Sequence, residues 1–298
     1  KRVLGVDFDV AIFTNLTRDH LDYHGTMENY FAAKQKLFSA LSGGSKRGAA
    51  VINIDDAFGA RLAGAANMEV ELTYGLAPAA RLRATQVQLG KDGSRFTLQT
   101  PELKLPCHLP LIGRHNIYNA LAAVGAGLSL NIAPPLLRRA LHHMAPVPGR
   151  LEQVFAGQPF GVFVDYAHTD DALQNVLTTL REITTGRLLL AFGCGGNRDT
   201  GKRARMGRVA AELADCTIIT SDNPRKESPE AIIAQIEEGY RSARPDGYLL
   251  EPDRSRAIHQ IIGQARPGDT VLIAGKGHET YQEFEDTGIP FDDRAYAR

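Results

Sequence analysis

The chain has 298 residues, 43% hydrophobic and 7% aromatic with no Trp, which is ordinary globular composition with room for two domains. Its 34 Lys and Arg balance 34 Asp and Glu, so no overall field draws nucleic acid or an anionic membrane, and any phosphate binding must be local. The three cysteines, Cys107, Cys194 and Cys216, form no CxxC pair, which predicts free thiols in a reducing, cytoplasmic setting rather than a disulfide frame or zinc site. No apolar run approaches the ~18 residues that span a bilayer. The opening Lys1-Arg2-Val3-Leu4 is neither a signal peptide nor a natural start, and it leads us to expect a fragment.

Residues 9–14 read as a buried strand leading into Asn15-Leu16-Thr17-Arg18-Asp19-His20-Leu21-Asp22-Tyr23-His24-Gly25. Asp19, His20, Asp22 and His24 could hold a divalent ion, or could serve only as turn and cap residues. Thr26 is set to cap a helix to about residue 40, with Asn29 where a capping box would carry Glu or Gln. Lys34 and Lys36 lie in that helix. A strand over 49–54, a helix over 56–65 and a strand over 70–74 follow. Alternating segments over 81–110, broken by Lys91-Asp92-Gly93 and Pro101, predict an antiparallel meander, inserted or appended. Gly113-Arg114-His115-Asn116 opens a helix to about 128 on which Asn116 and Asn119 fall one turn apart. They are either ligand groups on one face or a helix start satisfying its own backbone. Pro134-Pro135 opens another helix.

Pro146-Val147-Pro148-Gly149-Arg150 is the best linker candidate. Beyond it, strands over 161–165, 187–192, 217–220, 248–250 and 270–274 alternate with helices over 170–182, 203–214, 228–232 onward and 253–264. That order predicts a parallel, doubly wound sheet. Four polar loops should converge at one edge of it, where open α/β sheets bind ligands: Asp165-Tyr166-Ala167-His168, the loop 193–199, Ser221-Asp222-Asn223-Pro224-Arg225, and Gly275-Lys276-Gly277-His278-Glu279. Pro224 stiffens its loop, and Arg225 offers a planar fork for a carboxylate or phosphate, although a solvated helix lead-in would look the same. Residues 196–202 fit GxxxxGK, but Arg203 stands where a nucleotide loop needs Ser or Thr for magnesium.

Taken together, Asn15 through Gly25, Gly113-Arg114-His115-Asn116, Pro148-Gly149-Arg150-Leu151-Glu152, Asp165-Tyr166-Ala167-His168, 193–199, Asp222-Asn223-Pro224-Arg225 and Gly275-Lys276-Gly277-His278-Glu279 resemble the Mur ligase family, in this order and over essentially the whole chain. The resemblance implies an α/β fold: residues 1–148 as the latter part of a central ATPase domain with a small antiparallel accessory sheet, then residues 149–298 as a C-terminal, Rossmann-like doubly wound domain that binds the amino-acid substrate. It also implies that the family's phosphate loop and UDP-binding domain precede Lys1, leaving this fragment inactive alone.

The implied reaction is ATP-dependent amide formation in cytoplasmic peptidoglycan precursor synthesis. Meso-2,6-diaminopimelate would be added to UDP-N-acetylmuramoyl-L-alanyl-D-glutamate through an acyl phosphate, by a monomer. By the same resemblance His20 is a Mg2+ ligand and Lys34 a carbamylated lysine holding Mg2+. Asn116, Asn119, Arg150, Asp165 and His168 surround ATP, while Arg198, Asp222, Asn223, Arg225, Gly275 and Glu279 bind diaminopimelate. His20, Lys34, Asp165 and Arg150 are the residues implied in catalysis. Lysine in that site would leave Arg225 buried and unpaired, at about 1–3 kcal/mol. Two other readings share part of the pattern. A lysine-adding or folylpolyglutamate synthetase-like ligase has no reason to combine DNPR with GKGHE. A non-catalytic dinucleotide-fold module should carry GxGxxG after residue 165, where Tyr-Ala-His stands instead.

Overall fold

The computed structural model describes residues 5–17, 21–42, 48–65, 72–285 and 287–298. The chain divides into two compact units, Lys1–Met144 and Ala145–Arg298.

The first unit runs β1 (Val10–Phe13), α1 (Leu21–His24), α2 (Met27–Ser39), β2 (Ala49–Asn53), α3 (Ala57–Ala63), β3 (Leu72–Gly75), β4 (Leu82–Gly90), β5 (Gly93–Gln99), β6 (Lys104–Leu109), α4 (Arg114–Ser129) and α5 (Pro134–His142). Among the described residues the strands form one sheet in the order β1-β2-β3-β4-β5-β6. Pairing is parallel through β4 and antiparallel beyond it. The meander is therefore appended to the parallel sheet rather than inserted beside it, joined by Tyr74↔Leu82 and Gly75↔Arg83. Period-two alternation divides β2 between two cores. Val51 faces Leu82, Leu98 and the α4 residues Ile117 and Leu121, while Ala50 and Ile52 face Phe13, Phe31, Phe38 and Leu62. Thr26 caps α2 as its sequence predicts, accepting from Asn29 N at 3.2 Å. The Asn29 amide closes no capping box; it reaches His24 O at 3.1 Å.

The second unit runs β7 (Glu152–Gln153), β8 (Gly161–Asp165), α6 (Asp170–Arg181), β9 (Leu188–Phe192), α7 (Gly201–Leu213), β10 (Cys216–Ile219), α8 (Pro229–Ala243), β11 (Tyr248–Leu250), α9 (Arg254–Gly263), β12 (Thr270–Ala274), β13 (Tyr281–Phe284), β14 (Thr287–Pro290) and α10 (Asp293–Tyr296). The sheet order is β11-β10-β9-β12-β8-β7, parallel apart from β7. β8, β9 and β12 are buried along their whole length, as near-continuous apolar runs in a two-faced parallel sheet should be. Val162, Val164, Leu189, Ala191, Val271 and Ile273 share one core with Ala257, Ile258 and Ile261 of α9. Because β12 returns between β8 and β9, the loops after β8, β9, β10 and β12 stand side by side at the carboxyl edge. Among the described residues no helix is long and apolar enough to cross a membrane.

Candidate functional site

In the second unit the site is assembled at the carboxyl ends of four strands. Asp165 ends β8 with its side chain buried; Oδ2 accepts from Leu151 N at 2.7 Å and Oδ1 from Ala167 N at 2.8 Å. Burial pushes this carboxyl above the usual carboxylate range, against those two N–H groups. Arg150 lies over the Tyr166 ring at 5.1 Å, and His168 Nδ1 meets Tyr166 O at 2.8 Å. Arg150, Asp165 and His168 are thus gathered around Tyr166, a residue for which the sequence suggests no role of its own.

The glycines after β9 serve close backbone approach. A methyl group on Gly196 would come within 1.9 Å of Pro224 O, so the loops after β9 and β10 can touch only because Gly196 has no side chain. The GxxxxGK run is occupied by structural contacts. Lys202 Nζ donates to His168 O at 2.6 Å. Arg203, fully buried, donates to Glu227 Oε2 at 2.8 Å, to Gln235 Oε1 at 2.9 Å and to Gly195 O at 3.2 Å.

Asp222, Asn223 and Arg225 form the other wall. Asp222 is buried and takes no side-chain hydrogen bond from the described residues. Burial pushes its carboxyl up, opposed by the charges of Arg254 and Lys276. Gly275 has φ +119, and a methyl group there would meet Asp222 Oδ2 at 2.4 Å; the carboxylate therefore packs directly on backbone. Asn223 Nδ2 donates to Glu279 Oε2 at 2.9 Å. Arg225 Nη1 and Arg198 Cγ would flank a methyl group on Gly195, at 3.1 and 3.9 Å, which puts the two arginines beside one another.

Arg225 is not left unpaired, contrary to the sequence expectation. Nε donates to Glu283 Oε2 at 2.8 Å and Nη1 to Gly196 O at 2.9 Å, while its backbone, at φ 54, is strung between Glu283 O and Glu285 N. Nη2 takes no partner among the described residues. A guanidinium already paired at Nε and Nη1 is not the bare group that the sequence argument assumed. Three contributors escape the sequence reading. Glu283 lies in the unforeseen hairpin of β13 and β14. Lys276 and Arg254, both fully buried, belong to a residue type normally read as surface.

In the first unit, a cavity of about 320 Å3 is lined by Thr14, Asn15, Asn53, Asp55, Asp56, Tyr74, His115, Tyr118 and Asn119. Asn119 Nδ2 donates to Asn116 Oδ1 at 3.4 Å, and Asn116 Nδ2 to Ile112 O at 2.9 Å. Asn116 is therefore engaged with its own helix start, and Asn119 is the member of the pair that lies on the cavity wall. Lys34 is exposed on α2, its Nζ 5.3 Å from the Tyr30 ring centroid. His20 and Asp19 lie outside the described residues. Among the described residues no three His, Cys, Asp or Glu side chains are grouped as a metal would require; those present do not by themselves make a metal centre.

The fold and these loops define an α/β protein of two compact units, with polar loops gathered at the carboxyl edge of the second sheet. Residues 1–127 match the Mur ligase middle domain and residues 149–277 the Mur ligase glutamate ligase domain; the chain belongs to the Mur ligase family. It is 50% identical over 298 residues to the UDP-N-acetylmuramoyl-L-alanyl-D-glutamate--2,6-diaminopimelate ligase of Solibacter usitatus, covering 100% of this chain and 60% of that protein. It is 49% identical over 299 residues to the enzyme of the same name from Synechococcus elongatus, covering 100% and 59%. A solved structure of a UDP-N-acetylmuramoyl-L-alanyl-D-glutamate--2,6-diaminopimelate ligase superposes with TM-score 0.70 at 37% identity, over 99% of this chain and 60% of that one. The folylpolyglutamate synthase of Mycobacterium tuberculosis superposes at TM-score 0.68 and 19% identity, covering 91% of this chain and 62% of that one; this second likeness shows the fold alone. The chain spans about 60% of the length of the curated relatives it matches.

Proposed function

We propose that the full-length protein is an ATP-dependent ligase that joins meso-2,6-diaminopimelate to UDP-N-acetylmuramoyl-L-alanyl-D-glutamate, acting as a monomer in the cytoplasm in the synthesis of peptidoglycan precursors. The observation that carries this reading is the opposed charge of the second unit's site. Arg198 and Arg225 lie together on one side, and Asp222 and Glu279 lie by Gly275 and Asn223 on the other. A ligand end bearing both a carboxylate and an ammonium matches this arrangement, and a lysine side chain offers only half of it. Diaminopimelate is such a ligand: its far carboxylate would take the unused N–H groups of Arg225 with Arg198 alongside, and its far ammonium would take Glu279. The relatives at 45–50% identity that carry the diaminopimelate name support the same choice.

ATP supplies the driving force by converting the acceptor's D-glutamate carboxylate into an acyl phosphate, which the amine of diaminopimelate attacks with loss of phosphate. In this proposal Asn116, Asn119, Arg150, Asp165 and His168 serve ATP. Fixed cations of this kind stabilise charge developing on a transferred group, by roughly 3–4 kcal/mol for one well-placed donor. Mg2+ is proposed at His20 and at Lys34 in carbamylated form.

Amine-dependent ADP release by the full-length protein tests the reading. Diaminopimelate should support turnover, and Arg225→Ala should raise its KM by roughly 10–100-fold, the worth of a charge-assisted hydrogen bond or two. Equal turnover with L-lysine and diaminopimelate in the unmodified protein would contradict it.

A further inference from the structure

Lys276 sits inside the candidate site, yet no role in the proposed reaction falls to it. It is fully buried. Its ammonium donates to Asn223 Oδ1 at 2.8 Å and to Glu279 Oε2 at 3.1 Å, and lies 5.5 Å from the Tyr281 ring centroid. A buried ammonium persists only where acceptors surround it, and here each acceptor is a residue of the substrate site.

We propose that Lys276 is a positioning residue: it orients the Asn223 amide and the Glu279 carboxylate so that the site selects an amino acid whose far end carries an ammonium. The inference rests on the assignment of Glu279 to that ammonium. Asn223 Oδ1 accepts from both Lys276 Nζ and Glu283 N, the latter at 3.0 Å. Two donors on one oxygen fix which way the amide faces, and Nδ2 is thereby turned toward Glu279 Oε2 at 2.9 Å. Glu279 Oε2 in turn takes two donors, Asn223 Nδ2 and Lys276 Nζ. Glu279 Oε1 takes none from the described residues. Lys276 thus helps to occupy one carboxylate oxygen, and the other is the one left for an incoming donor. With two hydrogen bonds made and an aromatic face beside it, Lys276 acts on the substrate through Asn223 and Glu279 rather than by touching it.

The test compares two amines in ligase turnover by the full-length protein: meso-diaminopimelate and 2-aminopimelate, which keeps both carboxylates and the attacking amine but lacks the far amino group. The unmodified protein should prefer diaminopimelate. In Lys276→Met the KM for diaminopimelate should rise by about tenfold or more while that for 2-aminopimelate moves less than about threefold, so the preference collapses. Lys276→Gln, a polar filling that is shorter and uncharged and so loses the ammonium shared by Asn223 Oδ1 and Glu279 Oε2, should give the same collapse if the Met variant folds poorly. Glu279→Gln should remove the same preference, and the double variant Lys276→Met with Glu279→Gln should be no worse than the poorer single one, because the two act as a unit. A merely structural Lys276 would raise both KM values together, and that result, or an intact preference in a folded variant, overturns the proposal. Equal use of the two amines by the unmodified protein would instead strike at Glu279 itself and carry this inference down with it.

Discussion

At the scale of the residue, Asp222 shows burial and binding pulling in opposite directions. Its carboxyl is pushed above the ordinary Asp range by burial, which outweighs the opposing charges of Arg254 and Lys276, while Asp293 and Glu279 push the same way as burial. A raised acid favours its protonated form in the folded chain. Its contribution to stability is therefore fully present below the ordinary Asp range and is lost as pH rises through the raised value. Asp222→Asn should accordingly unfold at a higher temperature than the unmodified chain at pH 7–8, by roughly 2–4 °C for each kcal/mol relieved. The gain should vanish toward pH 4 and below, and thermal unfolding across a pH series reads both ends; a variant less stable at neutral pH would contradict the account. The position of Asp222 in its loop was legible from Asp222-Asn223-Pro224-Arg225, because a Pro-stiffened loop after an apolar strand has a defined place in a parallel sheet. The partners of Arg225 were not. Glu283 is 58 residues away, and nothing local in a sequence marks a contact of that separation. Lys276, Arg203 and Arg254 were likewise illegible as buried groups, since their burial depends on acceptors supplied by other loops.

At the scale of the element, the strand ends that carry the site are tied together by the first residue of α9. Arg254 donates to Asp293 Oδ1 at 2.7 Å and Oδ2 at 2.8 Å, to Ser221 O at 3.1 Å and to Ala274 O at 3.0 Å. One guanidinium thus bridges the loop after β10, the end of β12 and α10. Removing one partner of a buried pair leaves an uncompensated charge and costs about 3–5 kcal/mol. Arg254→Leu and Asp293→Leu should each lower the free energy of urea unfolding by about that much, and the double variant by clearly less than the sum. A loss below about 1 kcal/mol for Arg254→Leu would contradict the bracket. The central strands were readable because β9 is apolar throughout and β8 and β12 are so but for Asp165 and Thr270 at their ends. The hairpin of β13 and β14 was not, since its polarity runs the wrong way. Gln282 is buried and donates to Asp222 O at 2.7 Å, while Tyr281 and Ile289 are exposed. An alternation with a polar residue inside gives no strand signal, yet this hairpin supplies Glu283 to the site.

At the scale of the molecule, each unit closes its own hydrophobic core around its own sheet, and the division falls between Met144 and Ala145, a few residues ahead of the Pro148-Gly149 step at which the sequence pattern suggested it. Residues 145–298 produced alone should therefore show a cooperative thermal transition, followed by circular dichroism; a chain without one would mean that the second core needs the first unit. The prolines and glycine of 146–149 fall just inside the second unit, whose fold the alternation of strand and helix made legible. The joining of β3 to β4 was not, because only two residue pairs hold it. The measurement that bears most directly on the central claim is calorimetric titration of this chain with meso-diaminopimelate and with L-lysine, each repeated with Arg225→Ala. Diaminopimelate should bind, lysine should bind at least about tenfold more weakly, and the variant should lose the difference. Equal binding of the two amino acids by the unmodified chain, or an undiminished preference in Arg225→Ala, would contradict the assignment of the second unit's site.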